Sequence, residues 1–295
     1  MLLTRLGVMF QATNPVRELP ELARRAETLG LDELWMAEDC FLHSGPAAAA
    51  AALSVTERLA VGIGLLPVAV RNPAIAAMEL ATLANLFPDR IRVAFGHGVE
   101  AWMRQIGARP PDRLVMLEEV VRATRALLHD ETVDSAGRFV TLRDVRLEQP
   151  PGTPPEILVG TTGERAMGIA ARAADGLVVP EGTSEPAVRW ARGLLGDGRL
   201  VVYSWLRIED DAATAQAALS PVVERWRAGG NYPGLEARAG ALEELAVVGS
   251  AQDCADAVRR RGEAGADAVV LVPAGGDAAG QVARFAAEVL PLLRG

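Results

Sequence analysis

The segment Ala268-Val269-Val270-Leu271-Val272 is an uninterrupted run of apolar residues, and it sets the pattern of the whole chain. A strand needs such a run when both of its faces are covered, as in a parallel sheet flanked by helices. Similar segments recur, and an amphipathic stretch follows nearly every one of them. The predicted strands are Arg5–Phe10, Glu33–Ala37, Leu59–Leu65, Ile91–Phe95, Glu156–Val159, Gly176–Val179, Leu200–Ile208 and Ala268–Val272. This alternation is typical of an α/β fold.

The number of strands selects the architecture. Eight strands with a helix after nearly every one predict a (β/α)8 TIM-type barrel, a single domain over residues 1–295. A doubly wound open sheet is the alternative, because a sequence leaves the strand count open by about one or two. Two stretches interrupt the alternation: an insertion after strand 4, at about 96–155, and an irregular segment at about 229–249. The insertion either builds the active site or forms an oligomer contact, and the irregular segment is either a lid or a surface connection.

All 30 basic residues are arginines, because the 295-residue sequence contains no lysine. Schiff-base aldolases, pyridoxal-phosphate enzymes and Walker A proteins each require a lysine amine, so these classes are excluded. Against 38 acidic residues, the arginines leave a net charge of −8, which argues against binding to nucleic acid or to a membrane surface. We therefore expect a small-molecule substrate.

The cysteines and histidines are few and widely spaced. Cys40, Cys254, His43, His97 and His129 form no C-x-x-C or H-x-x-H pattern, so we expect no metal site. No apolar run reaches the ~20 residues that a membrane-spanning helix needs, and the start of the chain lacks the pattern of a secretory signal. These features predict a cytoplasmic protein with reduced thiols.

In a barrel of this type, catalytic residues follow the carboxyl ends of the strands. Glu38 and Asp39 come directly after the second strand, where a loop-capping role is the alternative for Asp39. After the fourth strand, Gly96-His97-Gly98 places one imidazole at the mouth, where a structural and a catalytic role are equally open. His97 is the first candidate for a proton donor and Asp39 is the second.

Two glycine-containing segments indicate a bound cofactor. Gly62 and Gly64 lie within the third strand, where glycine marks a bulge or the close approach of something flat, such as a planar ring. Gly160-Thr161-Thr162-Gly163-Glu164 leads from the fifth strand into a helix, so its N–H groups and hydroxyls predict a phosphate site, although an ordinary helix entry has the same pattern. No G-x-G-x-x-G follows the first strand, so a nicotinamide Rossmann site has no local support.

Many short motifs occur here in the order of a known family. The matching strings are Ala23-Arg24-Arg25-Ala26-Glu27, residues 30–38, Thr56-Glu57-Arg58-Leu59, residues 62–67, Arg71-Asn72-Pro73, residues 79–83, Asp89-Arg90, Gly137-Arg138-Phe139, residues 157–160 and residues 171–176. With these strings the chain resembles the bacterial luciferase-like oxidoreductases over nearly its whole length. The resemblance implies a TIM-type barrel with an insertion, usually a homodimer, that binds FMN or the deazaflavin coenzyme F420.

Phe95-Gly96-His97-Gly98, with the following segment Trp102–Ala108, is similar to the deazaflavin-dependent branch of that family, and in particular to its members like methylenetetrahydromethanopterin reductase. By position, the resemblance implies a non-prolyl cis peptide at Gly64-Leu65 behind the cofactor ring. It also implies that Gly160–Glu164 holds the cofactor phosphate. The residues implied to contact the cofactor are Glu38, Asp39, Gly64, Leu65, Gly96, His97, Gly160, Thr161, Thr162, Gly163, Glu164 and Pro180.

Three positions depart from the pattern of these relatives. Many carry a histidine where this chain has Asp39, and that histidine is implied in the acid–base chemistry of some deazaflavin dehydrogenases. A sugar-phosphate dehydrogenase role is therefore disfavoured. An acidic residue that some relatives place after the Gly-x-Gly of the fourth strand aligns with Val99, and Glu100 stands one position later. Where relatives use lysine on the anionic tail of the cofactor, only an arginine such as Arg165 can serve here.

The sequence thus predicts an F420-dependent oxidoreductase that transfers a hydride between the deazaflavin and an organic substrate. An FMN-dependent monooxygenase, supplied with reduced flavin by a separate reductase, is the alternative, and a non-catalytic flavin-binding protein is the third interpretation. We expect a homodimer, served by such a reductase or by an F420-reducing enzyme. The candidate substrate-binding residues are Phe10, Phe41, Trp102, Tyr203 and Trp205.

Overall fold

The computed structural model describes residues 4–229 and 241–294. Its strands are β1 (Arg5–Phe10), β2 (Glu33–Met36), β3 (Ala60–Pro67), β4 (Ile91–Gly96), β5 (Val133–Ala136), β6 (Thr141–Val145), β7 (Glu156–Gly160), β8 (Gly176–Val179), β9 (Arg199–Ile208), β10 (Ala246–Gly249) and β11 (Ala268–Pro273). Strands β1 to β4, β7 to β9 and β11 pair in parallel, and the pairing of β8 with β9 closes them into an eight-stranded barrel. The predicted (β/α)8 barrel is confirmed, and the open-sheet alternative is wrong.

Helices follow the barrel strands and cover their outer faces. The α-helices are Leu19–Thr28, Gly45–Leu53, Pro73–Leu86, Glu100–Gln105, Arg113–Leu128, Glu164–Ala173, Glu185–Leu195, Ala212–Gly229, Leu242–Leu245, Ala251–Glu263, Ala278–Arg284 and Leu290–Arg294. Side-chain caps start several of them: Asn72 and Ser184 each accept a hydrogen bond from a first-turn N–H group, and Ser250 forms a capping box with Asp253. Among the described helices, none combines the length and the apolar character that crossing a bilayer requires.

The glycines of β3 lie against two rings of the barrel interior. A Cβ atom at Gly62 would lie 2.1 Å from Cδ2 of Trp35, and one at Gly64 would lie 1.9 Å from the Tyr203 hydroxyl. The register of β3 against β4 shifts between Gly64 and Leu66, so the predicted bulge is present. The flat group beside Gly62 is therefore the protein's own Trp35 indole.

A cluster of charged residues lies at the amino-terminal end of the barrel. Glu33 is fully buried and accepts hydrogen bonds from Trp35 Nε1, at 2.8 Å, and from the Arg199 guanidinium. Arg92 Nε lies 3.5 Å from a Glu33 oxygen and 3.0 Å from a Glu156 oxygen. We call Glu33, Arg92, Glu156 and Arg199 the amino-end cluster, and in it every carboxylate has a guanidinium partner.

The predicted insertion, 96–155, consists of two parts with different positions. Its first part, with the helix Glu100–Gln105, lies at the mouth of the barrel. The helix Arg113–Leu128 then completes the fourth βα unit, and the antiparallel pair β5–β6 packs against it. The carboxylate of Glu119 on that helix accepts hydrogen bonds from three backbone N–H groups of the hairpin turn. The chain enters β7 from this hairpin at the amino-terminal end of the barrel, away from the mouth.

Most of the segment predicted to be irregular, 229–249, lies outside the described residues. From Ala241 onward the chain forms the helix Leu242–Leu245 and strand β10, which pairs in parallel with the last four residues of β9. The sequence analysis missed β10, a ninth strand of the described parallel sheet that lies outside the closed ring of eight.

Candidate active site

The carboxyl ends of the strands surround a cavity with a volume of about 1190 Å³. A site for one small ligand typically measures roughly 300–1,000 Å³, so this cavity has room for a cofactor together with a substrate. Of the residues predicted for the site, those that line the cavity are Glu38, Asp39, Gly64, Leu65, His97, Trp102, Gly160, Thr161, Thr162, Gly163, Glu164, Pro180 and Tyr203.

Three predicted substrate residues do not line this cavity, and we remove them from the candidates. Phe10 points away from the barrel interior and packs in the layer between strands and helices, because side chains alternate along a strand and its neighbour Met9 takes the inner position. Trp205 is inside the barrel but packs edge-on against Trp226, with ring centroids 5.6 Å apart. Phe41 is 61% exposed and lines a separate shallow depression.

The bulge of β3 presents Leu65 to the cavity. The Gly64–Leu65 peptide bond is cis, as the family resemblance implies. A Cβ atom at Gly96 would lie 2.5 Å from Cδ2 of Leu65, and one at Gly160 would lie 2.9 Å from the same atom. Gly96 was predicted to touch the cofactor, but it is not part of the cavity wall. Instead, both glycines leave room for the Leu65 side chain, which forms an apolar step in the wall.

The rim of the cavity carries two arginines, one of them paired with Glu100, and the amino terminus of one helix. The loop Gly160–Gly163 leads into the helix Glu164–Ala173, and within the loop the Thr161 hydroxyl accepts a hydrogen bond from Gly163 N at 3.3 Å. Arg165 and Arg113 line the same cavity with solvent-exposed side chains. Backbone amides at a helix amino terminus, with hydroxyl and guanidinium groups beside them, fit a phosphate group.

Glu38 is held by an arginine. Its carboxylate forms a two-pronged ion pair with Arg71, whose Nη2 lies 2.8 Å from Oε2, and also accepts a hydrogen bond from Gly45 N. The hydrogen bond from Arg71 to Glu38 raises the pKa of that guanidinium. Arg71 also contacts Glu79 at 3.0 Å. Glu38 therefore fixes the loop after β2 as well as forming part of the cavity wall.

Asp39, the neighbour of Glu38, has no such partner in the described part of the chain. Its side chain is half-buried in the cavity wall, and burial raises the pKa of Asp39, an effect that His43 partly opposes. The Asp39 backbone carbonyl, rather than its carboxylate, accepts the hydrogen bond from Leu42 N, so the loop-capping alternative is not seen. A carboxyl group with a raised pKa can hold a proton closer to neutral pH.

His97 follows β4 and lies in the cavity wall with its Nδ1 atom buried and without a hydrogen-bond partner among the described residues. Burial, reinforced by the positive charge of Arg113, lowers the pKa of His97 to about 4. The imidazole is therefore neutral at physiological pH. It can donate or accept a hydrogen bond there but is not a reservoir of protons.

Glu181, which follows Pro180 after β8, was not predicted from the sequence. Glu181 lines the cavity, and burial raises its pKa, with a further contribution from the nearby charge of Asp39. Tyr203 of β9 lies beside it and is only 6% exposed. We call Asp39, Glu181 and Tyr203 the floor of the cavity. The strand-end rule that selected Asp39 and His97 applies equally to Glu181.

A parallel barrel with a large cavity at the carboxyl ends of its strands is the arrangement of a (β/α)8 enzyme. The model of the luciferase-like monooxygenase family matches residues 1–268. The chain therefore belongs to the luciferase-like monooxygenase family, and it is an oxidoreductase.

Named relatives agree with this membership. An F420-dependent glucose-6-phosphate dehydrogenase of Kribbella flavida is 34% identical over 180 residues, and the match spans 56% of this chain and 54% of that protein. An enzyme of the same name from Kineococcus radiotolerans is 28% identical over 323 residues, covering 94% of this chain and 93% of the relative. The fold of an F420-dependent secondary alcohol dehydrogenase, solved with an F420-acetone adduct, superposes with a TM-score of 0.81 over 99% of both chains at 22% identity.

Proposed function

We propose that the protein is an F420-dependent oxidoreductase that transfers a hydride between the deazaflavin and an organic substrate. The observation that carries this proposal is a single cavity that joins a phosphate-type site at its rim to an apolar step and an acidic floor. The names of the Kribbella and Kineococcus relatives support F420 as the cofactor. Their substrate, glucose 6-phosphate, is not carried over, because Asp39 and Glu181 would repel a phosphate at the floor.

Several features of the cavity fit a phosphorylated ring cofactor. The amides of Thr162 and Glu164 and the hydroxyls of Thr161 and Thr162, with Arg165, would hold its phosphate. Leu65 would support one face of its ring. The neutral His97 would donate or accept a hydrogen bond to a polar edge of the ring. When bound, the deazaflavin supplies or accepts a hydride but does not activate oxygen.

For the proton that accompanies hydride transfer, we propose Asp39 ahead of His97. The raised pKa of Asp39 lets this carboxyl exchange a proton nearer to neutral pH, whereas His97, with a pKa of about 4, stays neutral. His97 would then position the ring, and Asp39 would exchange the proton with the substrate. This reverses the order of the two candidates drawn from the sequence.

We further propose that the chain forms a homodimer. Phe41, Leu42 and Val70 line one shallow depression and are 61%, 56% and 38% exposed, and Ile75 and Met78 are exposed on the helix that follows. Large apolar side chains grouped on a surface mark an interaction site. Sedimentation at micromolar concentration should give twice the chain mass, and Met78→Glu should give the single-chain mass.

Titration of the purified chain with F420 and with FMN tests the proposed cofactor. F420 should bind at least tenfold more tightly, and Arg165→Gln should weaken F420 binding about tenfold, because a charge-assisted hydrogen bond to the anion is lost. Arg143→Gln, at an exposed arginine of the β5–β6 hairpin, should bind F420 like the wild type. Equal or tighter binding of FMN would favour the monooxygenase instead. If reduced F420 bound but no substrate in a broad panel oxidised it, the protein would be a carrier.

A further inference from the structure

The floor of the cavity is acidic and lacks a counterion in the described part of the chain. Asp39 follows β2, Glu181 follows β8 and Tyr203 projects from β9, so three separate strands bring these side chains into the wall of one cavity, where Asp39 acts electrostatically on Glu181 and Glu181 on Tyr203. No described arginine lies within ion-pair distance of either carboxyl group. The arginines of the same cavity, Arg113 and Arg165, stand at the exposed rim.

Two other buried or half-buried carboxylates of this chain have guanidinium partners. Glu33 has Arg199 and Arg92, and Glu38 has Arg71 together with a backbone N–H group. Removing an ionised carboxylate from water without a partner is costly, and folded proteins normally pair such groups. Glu181 accepts a hydrogen bond from its own backbone N–H group, but neither floor carboxyl has a guanidinium partner in the described part of the chain, so both are available to a cationic ligand.

The hydroxyl of Tyr203 gives an independent indication of a ligand. The residue is 6% exposed, and its hydroxyl oxygen is buried without a hydrogen-bond partner among the described residues. The ring is fixed in place, because it stacks edge-on against Trp35 with centroids 5.7 Å apart and its hydroxyl abuts Gly64. Buried hydroxyl groups are almost always hydrogen-bonded in folded proteins, so this oxygen is available to a bound molecule.

The surroundings of the floor disfavour the ionised forms of its two carboxyls. Burial and the mutual proximity of the carboxyls raise the pKa of Glu181, and burial raises that of Asp39. The groups that act on them are His43, which opposes the shift of Asp39, and Tyr203, whose pKa is raised by burial and by the charges of Glu181 and Glu33. A cation bound beside the two carboxyls would favour their ionised forms, so its binding would release any proton that they hold.

We propose that Asp39, Glu181 and Tyr203 form a recognition subsite for a primary ammonium group on the substrate. A protonated amine has three N–H donors and no acceptor, and the floor offers two carboxylates and one phenolic oxygen. The claim that the bound amine belongs to a substrate rests on the proposed function. Glu181 is then the residue that determines specificity, because it supplies the second negative charge and excludes phosphate and carboxylate groups.

Three small molecules of one shape and different charge test this subsite on the full-length, cofactor-free protein. Benzylamine, which is protonated at pH 7, should bind at least tenfold more tightly than benzyl alcohol, and benzoate should not bind measurably. Calorimetry in two buffers of different ionisation enthalpy should show that benzylamine releases protons on binding and that benzyl alcohol does not. Equal affinities for all three, or tightest binding of benzoate, would overturn the proposal.

Substitutions test which residues bind benzylamine. Glu181→Gln and Asp39→Asn should each weaken benzylamine binding at least tenfold and abolish the proton release. Glu131→Gln, the same change at an exposed site, should leave both unchanged. Retained benzylamine affinity in Glu181→Gln would contradict the subsite. F420 titration of the wild type is a separate measurement: its failure would overturn the proposed cofactor, whereas the ranking of the three probes would still decide the ammonium subsite.

Discussion

The amino-terminal end of the barrel and the floor of the cavity at its carboxyl-terminal end hold their buried charges in opposite ways. At the amino-terminal end, Glu33 is fully buried and bonded to Arg199 and Trp35, with Arg92 close by. At the carboxyl-terminal end, Asp39 and Glu181 have raised pKa values and no arginine among the described residues. Paired charges serve the stability of a fold, whereas unpaired ones cost stability and are kept for binding or chemistry. The contrast separates the structural end of the molecule from its functional end.

The largest expected effect lies at the amino-end cluster. Glu33→Gln would leave two guanidinium groups without their buried counterion, so the free energy of unfolding should fall by about 3–5 kcal/mol. Urea unfolding followed by circular dichroism measures it. The same glutamate-to-glutamine change at Glu181 should not destabilise the protein. If Glu33→Gln and Glu181→Gln lost similar stability, the pairing of Glu33 with arginine would not distinguish it energetically from Glu181.

The second effect is the pH dependence contributed by His97. Its pKa is lowered in the folded state from 6.5 to about 4, so the unfolded chain takes up the proton first as the pH falls. The stability that the neutral imidazole contributes is present above pH 6.5 and is lost between pH 6.5 and 4. Between pH 6.5 and 4, the His97→Gln variant should therefore lose less stability than the wild type. The difference should be roughly 2 kcal/mol, after allowance for the partial exposure of the His97 side chain.

The control for His97 is His129, which is exposed. Thermal unfolding at half-unit pH steps should give parallel profiles for wild type and His129→Gln. Identical profiles for wild type and His97→Gln would show that the imidazole is protonated as readily in the folded protein as in the unfolded chain.

The smallest effect has the opposite sign and belongs to Glu181. Folding raises the pKa of Glu181, so ionisation of this carboxyl opposes folding. The protonated carboxyl costs no stability below its ordinary pKa of 4.5. Stability is then lost as the pH rises through the pKa of Glu181 in the folded protein. Glu181→Gln removes this loss. Its melting temperature should therefore exceed that of the wild type at about pH 8, by less than the effects of Glu33→Gln and His97→Gln.

Below pH 4.5 the difference between Glu181→Gln and wild type should vanish, because the wild-type carboxyl is then protonated in both states. Glu131→Gln should follow the wild type throughout. A Glu181→Gln variant that melts below the wild type at pH 8 would mean that Glu181 has a cationic partner in the folded protein.

The barrel could be predicted because its strands carry a strong local signal. Continuous apolar runs such as Val269–Val272 require cover on both faces, and the helices between them supply it. Strand β10 escaped prediction because it is four residues long and its run, Ala246–Val248, is too short to distinguish from the flanking alanine-rich sequence. Its pairing with β9 is a long-range contact, which no local pattern encodes.

The site was predictable in position but less so in detail. The rule that function follows strand ends placed Asp39, His97 and the Gly160 loop around one cavity. It could not show that Phe10 faces outward, since one residue of register exchanges the two faces of a strand. The strand-end rule also could not single out Glu181. What distinguishes Glu181 is that no described arginine lies near it, and this depends on how separate strands pack together.

Strand β9 also sets how the cavity can respond to a ligand. Along one edge it pairs with β11, and along the other it pairs first with β8 and then with β10. Tyr203 itself pairs with Val270 of β11 and lies between the stretches that pair with β8 and with β10. Because β9 is held by three neighbouring strands, its amides should exchange slowly with deuterium, so Tyr203 sits on a rigid support. Asp39 and Glu181 stand on loops. Adjustment to different ligands therefore falls to the loop carboxyls, while the phenol oxygen remains a fixed reference point.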